Sequence, residues 1–154
     1  MGLIGYVVVN RRWIPAFAGM TRAMKYLGID YSMRKVGLAI GESDSRIAVP
    51  LEVIPGGDDV LDRIIKLAKE EKIDAFVVGI PVPVHEEQPL VQFERVKTFV
   101  ERLKEVSGLP VHEIDEVMTT REAKRVQSEY GSKVGEDALA AMMILQEHLD
   151  EGLK

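Results

Sequence analysis

Acidic residues stand where the sequence predicts that two strands end and a helix begins: Asp30, the pair Asp115-Glu116, and Asp137. Carboxylate oxygens are the ligands that Mg²⁺ and Mn²⁺ prefer. Two such ions about 3.5–4 Å apart can activate a water and stabilise the leaving oxygen in phosphodiester cleavage. If the first and last strands are close in space, these acids converge at one end of a sheet, where sites in such folds gather.

Each of these acids also has an ordinary structural explanation. Asp30 suits a turn or a cap, and a negative charge at Asp115 or Glu116 suits the start of the helix that follows. Asp137, in a first helical turn, interacts favourably with the helix macrodipole. Taken singly, the residues leave both interpretations open.

Other chemistries find little support in the sequence. The absence of cysteine excludes a disulfide framework, a zinc-thiolate site and a thiol nucleophile, and it fits a cytoplasmic protein. His85, His112 and His148 show no ligand spacing, and neither a G-x-S-x-G elbow nor a Walker-type phosphate loop is present. No apolar run approaches the ~18 residues of a membrane span, so we expect no membrane partner.

The charge is unevenly distributed along the chain. Residues 1–23 hold three arginines and no acid, so residues 24–154 hold 17 basic and 25 acidic residues, a net charge of −8. Bulk charge therefore disfavours nucleic-acid binding, and a polyanion partner requires a local basic patch.

Residues 1–23 differ from the rest and show no clear helical or strand period. Their positive charge follows the first apolar stretch rather than preceding it, which argues against a secretory signal. The stretch "WIPAFAGMT" resembles a peptide read from bacterial intergenic repeats. We predict an N-terminal extension from a mis-called start, with Met24 as the true first residue; a genuine β-hairpin or arm is the alternative.

The order of elements after Met24 is β-β-β-α-β-α-β-α-α, which predicts one α/β domain over residues 24–154. A meander of three antiparallel strands followed by two alternating strands gives a mixed five-stranded sheet with helices on both faces. Pro50 places the third strand at an edge or a bulge. The predicted strands are Lys25 to Asp30, Lys35 to Gly41, Arg46 to Ile54, Ile73 to Ile80 and Leu109 to Asp115. The first two predicted helices run from an Asp58 cap to about Lys72, and from a first turn near Pro89 to just before Gly108. The last two run from a Thr119 capping box until Gly131 breaks the helix, and from about Val134 to Asp150.

Four blocks of this sequence together resemble the YqgF (RuvX-like) family. They are "LGIDYSMRKVGLAIGESD", "AFVVGIPV", "FVERLKEVSGLPVHEIDEVMTTREAKR" and "GEDALAAMMILQEHLD", and they cover essentially all of residues 24–151 in order. The resemblance implies an RNase H-like fold. It also implies a metal-dependent nuclease that either processes the 5′ end of precursor 16S ribosomal RNA or resolves Holliday junctions.

The resemblance assigns roles to individual residues. Asp30, Glu116 and Asp137 match the family's acids, so they would be the catalytic residues and the ligands of Mg²⁺ or Mn²⁺. Arg34 and Lys35 match a basic pair of the first hairpin, which the resemblance implies would contact phosphate.

The chain departs from the family pattern at three places. Ser32 and Val117 stand where the family usually has glycine and arginine, and the loop from Val82 to His85 lacks the usual Asn and Gly. All three acids are kept, so the metal site is supported and the departures bear on substrate handling.

A second basic group follows Glu116 in the sequence. Arg121, Lys124 and Arg125 are three and four residues apart, so they project together from the predicted helix and, with Arg34 and Lys35, predict a rim for nucleic acid. An ordinary solvated helix face is the alternative.

We therefore expect a cytoplasmic nuclease acting on precursor ribosomal RNA, as a monomer or weak homodimer. Four-way DNA is the alternative substrate. A non-catalytic RNA-binding factor of ribosome assembly is the alternative from a different class.

Overall fold

A computed structural model describes residues 6–9, 11–15, 23–82, 90–116 and 135–151. The first two ranges contain a two-stranded antiparallel sheet, β1 (Tyr6–Val9) and β2 (Arg12–Pro15), joined through Arg11 with a left-handed φ of 63°. Strands of four residues are too short to show a clear period in the sequence, and this hairpin is the arrangement that the sequence left open as the alternative. That these residues are an extension outside the domain stays a prediction.

The domain is built on a mixed five-stranded sheet, as predicted, with the strand order β5-β4-β3-β6-β7. Strands β3, β4 and β5 pair antiparallel, and β3, β6 and β7 run parallel. The strands are β3 (Lys25–Tyr31), β4 (Lys35–Glu42), β5 (Ala48–Pro55), β6 (Ala75–Pro81) and β7 (Val111–Glu116).

Strand β5 lies at the edge of this sheet, as Pro50 predicts. Leu38 pairs with Glu52 and Ala39 with Pro50, so Leu51 is the extra residue of a β-bulge. Proline is tolerated here because an edge strand need not donate every amide to a neighbour.

Three described helices cover the two faces of the sheet: α1 (Val60–Glu70), α2 (Val91–Ser107) and α3 (Glu136–Glu151). Helix α2 ends at Gly108, whose left-handed φ of 68° suits glycine and whose amide donates to the Lys104 carbonyl. The predicted Asp58 cap of α1 was wrong. Asp59 occupies the cap position without a side-chain cap bond, because its carboxylate pairs instead with Arg63 at 2.8 Å.

Two hydrophobic layers follow from the strand pleat, since successive side chains point to opposite faces. Leu27, Ile29, Phe76 and Val78 pack beneath α1 and α2, whereas Val77 packs beneath α3 with its Ile144 and Leu145. Burying each such side chain contributes about 1.5–3 kcal/mol. The two layers fix which strand residues face which helix.

Helix α3 lies very close to the strands because glycines face it. A Cβ at Gly37 would collide with the backbone carbonyl of Asp137, and one at Gly28 would lie 2.8 Å from the Cβ of Leu145. This close approach brings the first turn of α3 down onto the end of β3. Among the described residues, no helix is long and apolar enough to cross a membrane.

Candidate active site

Asp30 points toward the first turn of α3. It lies opposite Gly37 in the β3–β4 ladder, and directly opposed residues project on the same face. That face is the one on which a Cβ at Gly37 would meet Asp137. The predicted juxtaposition of Asp30 and Asp137 is therefore present.

Glu116 lies on the same face at the end of β7. It is two residues beyond Ile114, which packs in the α3-side core, and it pairs with Pro81 on β6. A Cβ added at Gly79 would lie 3.7 Å from the Cβ of Glu116. The side chain thus faces the same layer as Asp30 and Asp137.

Asp115 belongs to the opposite face of β7. Its neighbour in the pleat, Glu113, bonds to Lys97 of α2 at 2.6 Å. The pKa of Lys97 is raised chiefly by that hydrogen bond, with a smaller contribution from the charge of Asp115. The sheet therefore places Asp115 and Glu116 on opposite faces, a distinction that the individual residues did not allow. Of the two, only Glu116 faces α3.

Asp137 is held by an ion pair with Lys35. The Lys35 Nζ lies 3.0 Å from Asp137 Oδ2, with the two side chains 57% and 22% exposed. This hydrogen bond, followed by the carboxylate's charge, raises the pKa of Lys35. Lys35 thus sits as a fixed positive charge beside the acidic residues, a contact that the sequence did not reveal.

Burial, followed by the negative charge of Asp137, raises the pKa of Asp30 to about 7. No hydrogen bond from a described residue reaches the Asp30 carboxyl group. A buried carboxylate without a donor facing another carboxylate is costly, and a cation between them would relieve the cost. The Asp30–Asp137 pair therefore fits a hard divalent ion in donor type and charge.

The structure shows this site as a pair of acids with a third on the same face. Within the described ranges, no three His, Cys, Asp or Glu side chains lie close enough together to hold a metal ion. The full set of Asp30, Glu116 and Asp137 stays a prediction.

The β3–β4 turn places the basic pair at the same end of the sheet. Ser32 closes this turn: its hydroxyl donates to the Lys35 carbonyl at 2.7 Å and accepts from the Lys35 amide at 3.2 Å. Ser32 has no positive φ, so this turn does not require the glycine usual in the family. Arg34 is exposed and makes no ion pair with a described residue. Both cations lie where a phosphate could reach them.

The other substrate-handling predictions fall outside the described residues. These are Val117, the helix predicted from Thr119, the loop at His85, and the rim residues Arg121, Lys124 and Arg125.

Comparisons with known proteins agree with this architecture. The family model described as "RuvX: Holliday junction resolvase" matches residues 24–151. A "Putative pre-16S rRNA nuclease" of Azotobacter vinelandii is 39% identical over 132 residues, covering 81% of this chain and 92% of that protein. A protein of the same name from Nitratidesulfovibrio vulgaris is 33% identical, covering 82% and 94%.

Solved structures share the fold at low sequence identity. Thermus thermophilus RuvC in complex with Holliday junction substrate superposes with a TM-score of 0.57 at 16% identity, covering 84% of this chain and 96% of that one. The fowlpox virus resolvase in complex with Holliday junction DNA gives 0.56 at 11% identity, covering 85% and 100%. The predicted RNase H-like architecture is thereby confirmed.

Proposed function

The chain belongs to the RuvX (YqgF) family, and we propose that it is a divalent-metal-dependent nuclease acting on the 5′ end of precursor 16S ribosomal RNA. One observation carries the proposal: the family's acids Asp30 and Asp137 face each other at a sheet end, with Lys35 beside them. The names of relatives at 33–39% identity support the RNA substrate.

Asp30, Glu116 and Asp137 would hold the metal in this proposal. Asp30 and Glu116 project from the α3-facing side of the sheet end, Asp137 lies in the first turn of α3 against that side, and their oxygens suit Mg²⁺ or Mn²⁺. When bound, the ion would supply charge stabilisation at the reacting phosphate. Burial of Asp30 strengthens that electrostatic effect because less water screens the site.

Lys35 and Arg34 would neutralise the substrate phosphate. Both stand on the turn that follows Asp30, so their backbone is fixed relative to the acids. Lys35 already balances Asp137, and transferring its ammonium group from that carboxylate to a phosphate would exchange one anion for another. Lys35 would position the substrate, and it would reduce the repulsion between Asp30 and Asp137 before a metal binds.

The protonation of Asp30 sets a condition on activity. With a pKa of about 7, the carboxyl group is largely protonated below that pH and must lose its proton to act as a ligand. Metal-dependent cleavage should therefore rise with pH through this range, and saturating metal should move the rise to lower pH because the ion competes with the proton.

Four-way DNA is the second candidate substrate. The family model's own description names Holliday junction resolvases. Symmetrical cleavage of a junction would require two copies of the chain. That the protein is a monomer or a weak homodimer stays a prediction. Its cytoplasmic localisation also stays a prediction.

A cleavage assay with Mn²⁺ tests the proposal. It compares a 5′-extended 16S precursor RNA with a four-way DNA junction, using wild type and Asp30→Asn. We expect RNA cleavage that the variant loses. Junction cleavage alone, equally dependent on Asp30, would replace the RNA substrate by DNA. Intact binding without any cleavage would overturn the nuclease and favour a non-catalytic ribosome-assembly factor.

A further inference from the structure

A second recess opens at the same end of the sheet but on its other face. It is a cleft of about 710 Å³ bounded by α1, α2 and the end of β3. This volume lies within the range of ordinary small-molecule sites. The aromatic, apolar and cationic residues that line it are Tyr31, Phe99, Met33, Val91, Arg95 and Arg102.

An aromatic ring stands at the inner wall of this cleft, directly after the proposed metal ligand. Tyr31 follows Asp30 in β3, so the two side chains project to opposite faces of the same strand end. The Tyr31 ring stacks on the buried Phe99 with centroids 4.2 Å apart and planes 14° apart. Gln92 donates to the Tyr31 carbonyl at 3.0 Å, which fixes the strand end against α2. The ring is thus a rigid surface backed on one side.

Apolar side chains at the mouth of the cleft are exposed rather than packed. Met33 is 54% exposed and Val91 is 49% exposed. Both residues line the cleft, so they add apolar surface beside the Tyr31 ring. Together with the Tyr31 ring they offer the kind of surface on which a nucleobase stacks, worth about 1–3 kcal/mol per base.

Two arginines extend along one side of the cleft. Arg95 and Arg102 are seven residues apart on α2, two helical turns and ~10.5 Å along its axis. Neither forms an ion pair with a described residue, whereas Lys97 and Lys104 of the same helix do. Asp58 and Glu94 also line the cleft, so its lining carries no general positive field and phosphate binding there would depend on direct contacts with the two arginines.

We propose, resting on the nuclease function above, that this cleft binds an unpaired nucleotide of the substrate next to the scissile phosphate. A nucleic-acid strand that crosses the end of β3 would pass from the face of the sheet that carries Asp30 to the face that carries Tyr31. The base stacks at Tyr31, Met33 and Val91, and Arg95 and Arg102 bind flanking phosphates. The site therefore selects substrates that carry a single-stranded flank over fully paired ones.

The test measures binding without cleavage. Wild type and Arg95→Gln/Arg102→Gln are titrated, in EDTA, against a short fluorescein-labelled single-stranded RNA and against a blunt RNA duplex of the same sequence. Lys66→Gln/Lys69→Gln is the control, because it removes the same charge from exposed positions of α1 that do not line this cleft. Thermal unfolding of each variant confirms folding.

We expect the arginine variant to bind the single strand about tenfold more weakly, because it loses two phosphate contacts. The slope of log K against log salt should become shallower by ~1.4, for two lost single-strand phosphate contacts. Duplex binding and the control variant should match wild type.

Equal weakening by both variants, equal loss on single strand and duplex, or no loss at all would overturn the cleft as a nucleotide site. Thr98→Glu, which places a negative charge on the exposed cleft wall, should reproduce the arginine effect. These results can be told apart from a failure of the nuclease proposal. If wild type cleaves RNA and the variants bind RNA as well as wild type does, only the nucleotide site in the cleft is refuted.

Discussion

Two aspartates, Asp74 buried and Asp30 partly buried, stand at opposite ends of the same pair of strands, and they are held in opposite ways. Asp74, 1% exposed, accepts a hydrogen bond from the Lys25 amide at 2.9 Å, while its own amide donates to the Lys25 carbonyl at 2.8 Å. Asp30 has no such donor among the described residues and faces Asp137 instead. Asp74 completes the fold, whereas Asp30 is costly to the fold unless a cation is supplied.

Substitutions of Asp30 and Asp74 should differ most in their effect on the rate of cleavage. Asp30→Asn removes a proposed ligand, so cleavage of precursor RNA in Mn²⁺ should fall by at least about 100-fold, since even residues behind metal ligands cost 10–100-fold. Asp74→Asn should retain cleavage within a few-fold. Initial rates at saturating substrate make the comparison, and equal losses in both variants would remove the functional distinction.

Stability without metal should change in opposite directions. Asp30→Asn removes a destabilised carboxylate and should raise the melting temperature in EDTA at pH 8 by roughly 5–10 °C. Asp74→Asn weakens a charge-assisted bond by about 1 kcal/mol and should lower it by roughly 2–4 °C. Differential scanning calorimetry measures both, and a lower melting temperature for Asp30→Asn would contradict the described electrostatics.

The free energy of unfolding should depend on pH through the titration of Asp30. Its folded pKa of about 7 exceeds the ordinary 3.8, so the folded state binds the proton more tightly. The free energy of unfolding should therefore fall as pH rises from about 4 to about 7, by up to roughly 4 kcal/mol from this group. Denaturant titrations should show that this fall is absent in Asp30→Asn and present in Asp74→Asn.

Lys35 should give the smallest and most specific effect. Lys35→Met frees Asp137 from its 3.0 Å partner, so Mn²⁺ should bind the free protein a few-fold more tightly while RNA binds more weakly. Arg34→Met is the control, because it removes a neighbouring charge that has no described carboxylate partner. Calorimetric titration with Mn²⁺ distinguishes them, and identical affinities in the two variants would exclude Lys35 as a competitor.

Much of the sheet was predictable because strand signals are local. The apolar runs ending at Asp30 and Asp115 define β3 and β7 within one or two residues, and Pro50 correctly marks the edge strand with its bulge. The alternation of side chains along a strand would also have distinguished Asp115 from Glu116. Ile114 is the buried apolar residue of β7 that faces α3, so Glu116, two residues later, faces α3 as well.

The rest of the site depends on packing that no local pattern encodes. Asp30 meets Asp137 because Gly37 lets the first turn of α3 approach the strands, and Lys35 reaches Asp137 by the same approach. The stack of Tyr31 on Phe99 likewise depends on where α2 crosses the sheet. Such contacts join residues distant in sequence, so they required the fold itself.

The most direct test of the central claim is the shift in melting temperature on adding Mn²⁺ to wild type, Asp30→Asn and Asp74→Asn. An ion that binds only the folded protein stabilises it by about 2.7 kcal/mol at 100 times its dissociation constant. We predict a rise of several degrees in wild type and in Asp74→Asn, and none in Asp30→Asn. An equal rise in all three proteins would contradict a metal site at Asp30.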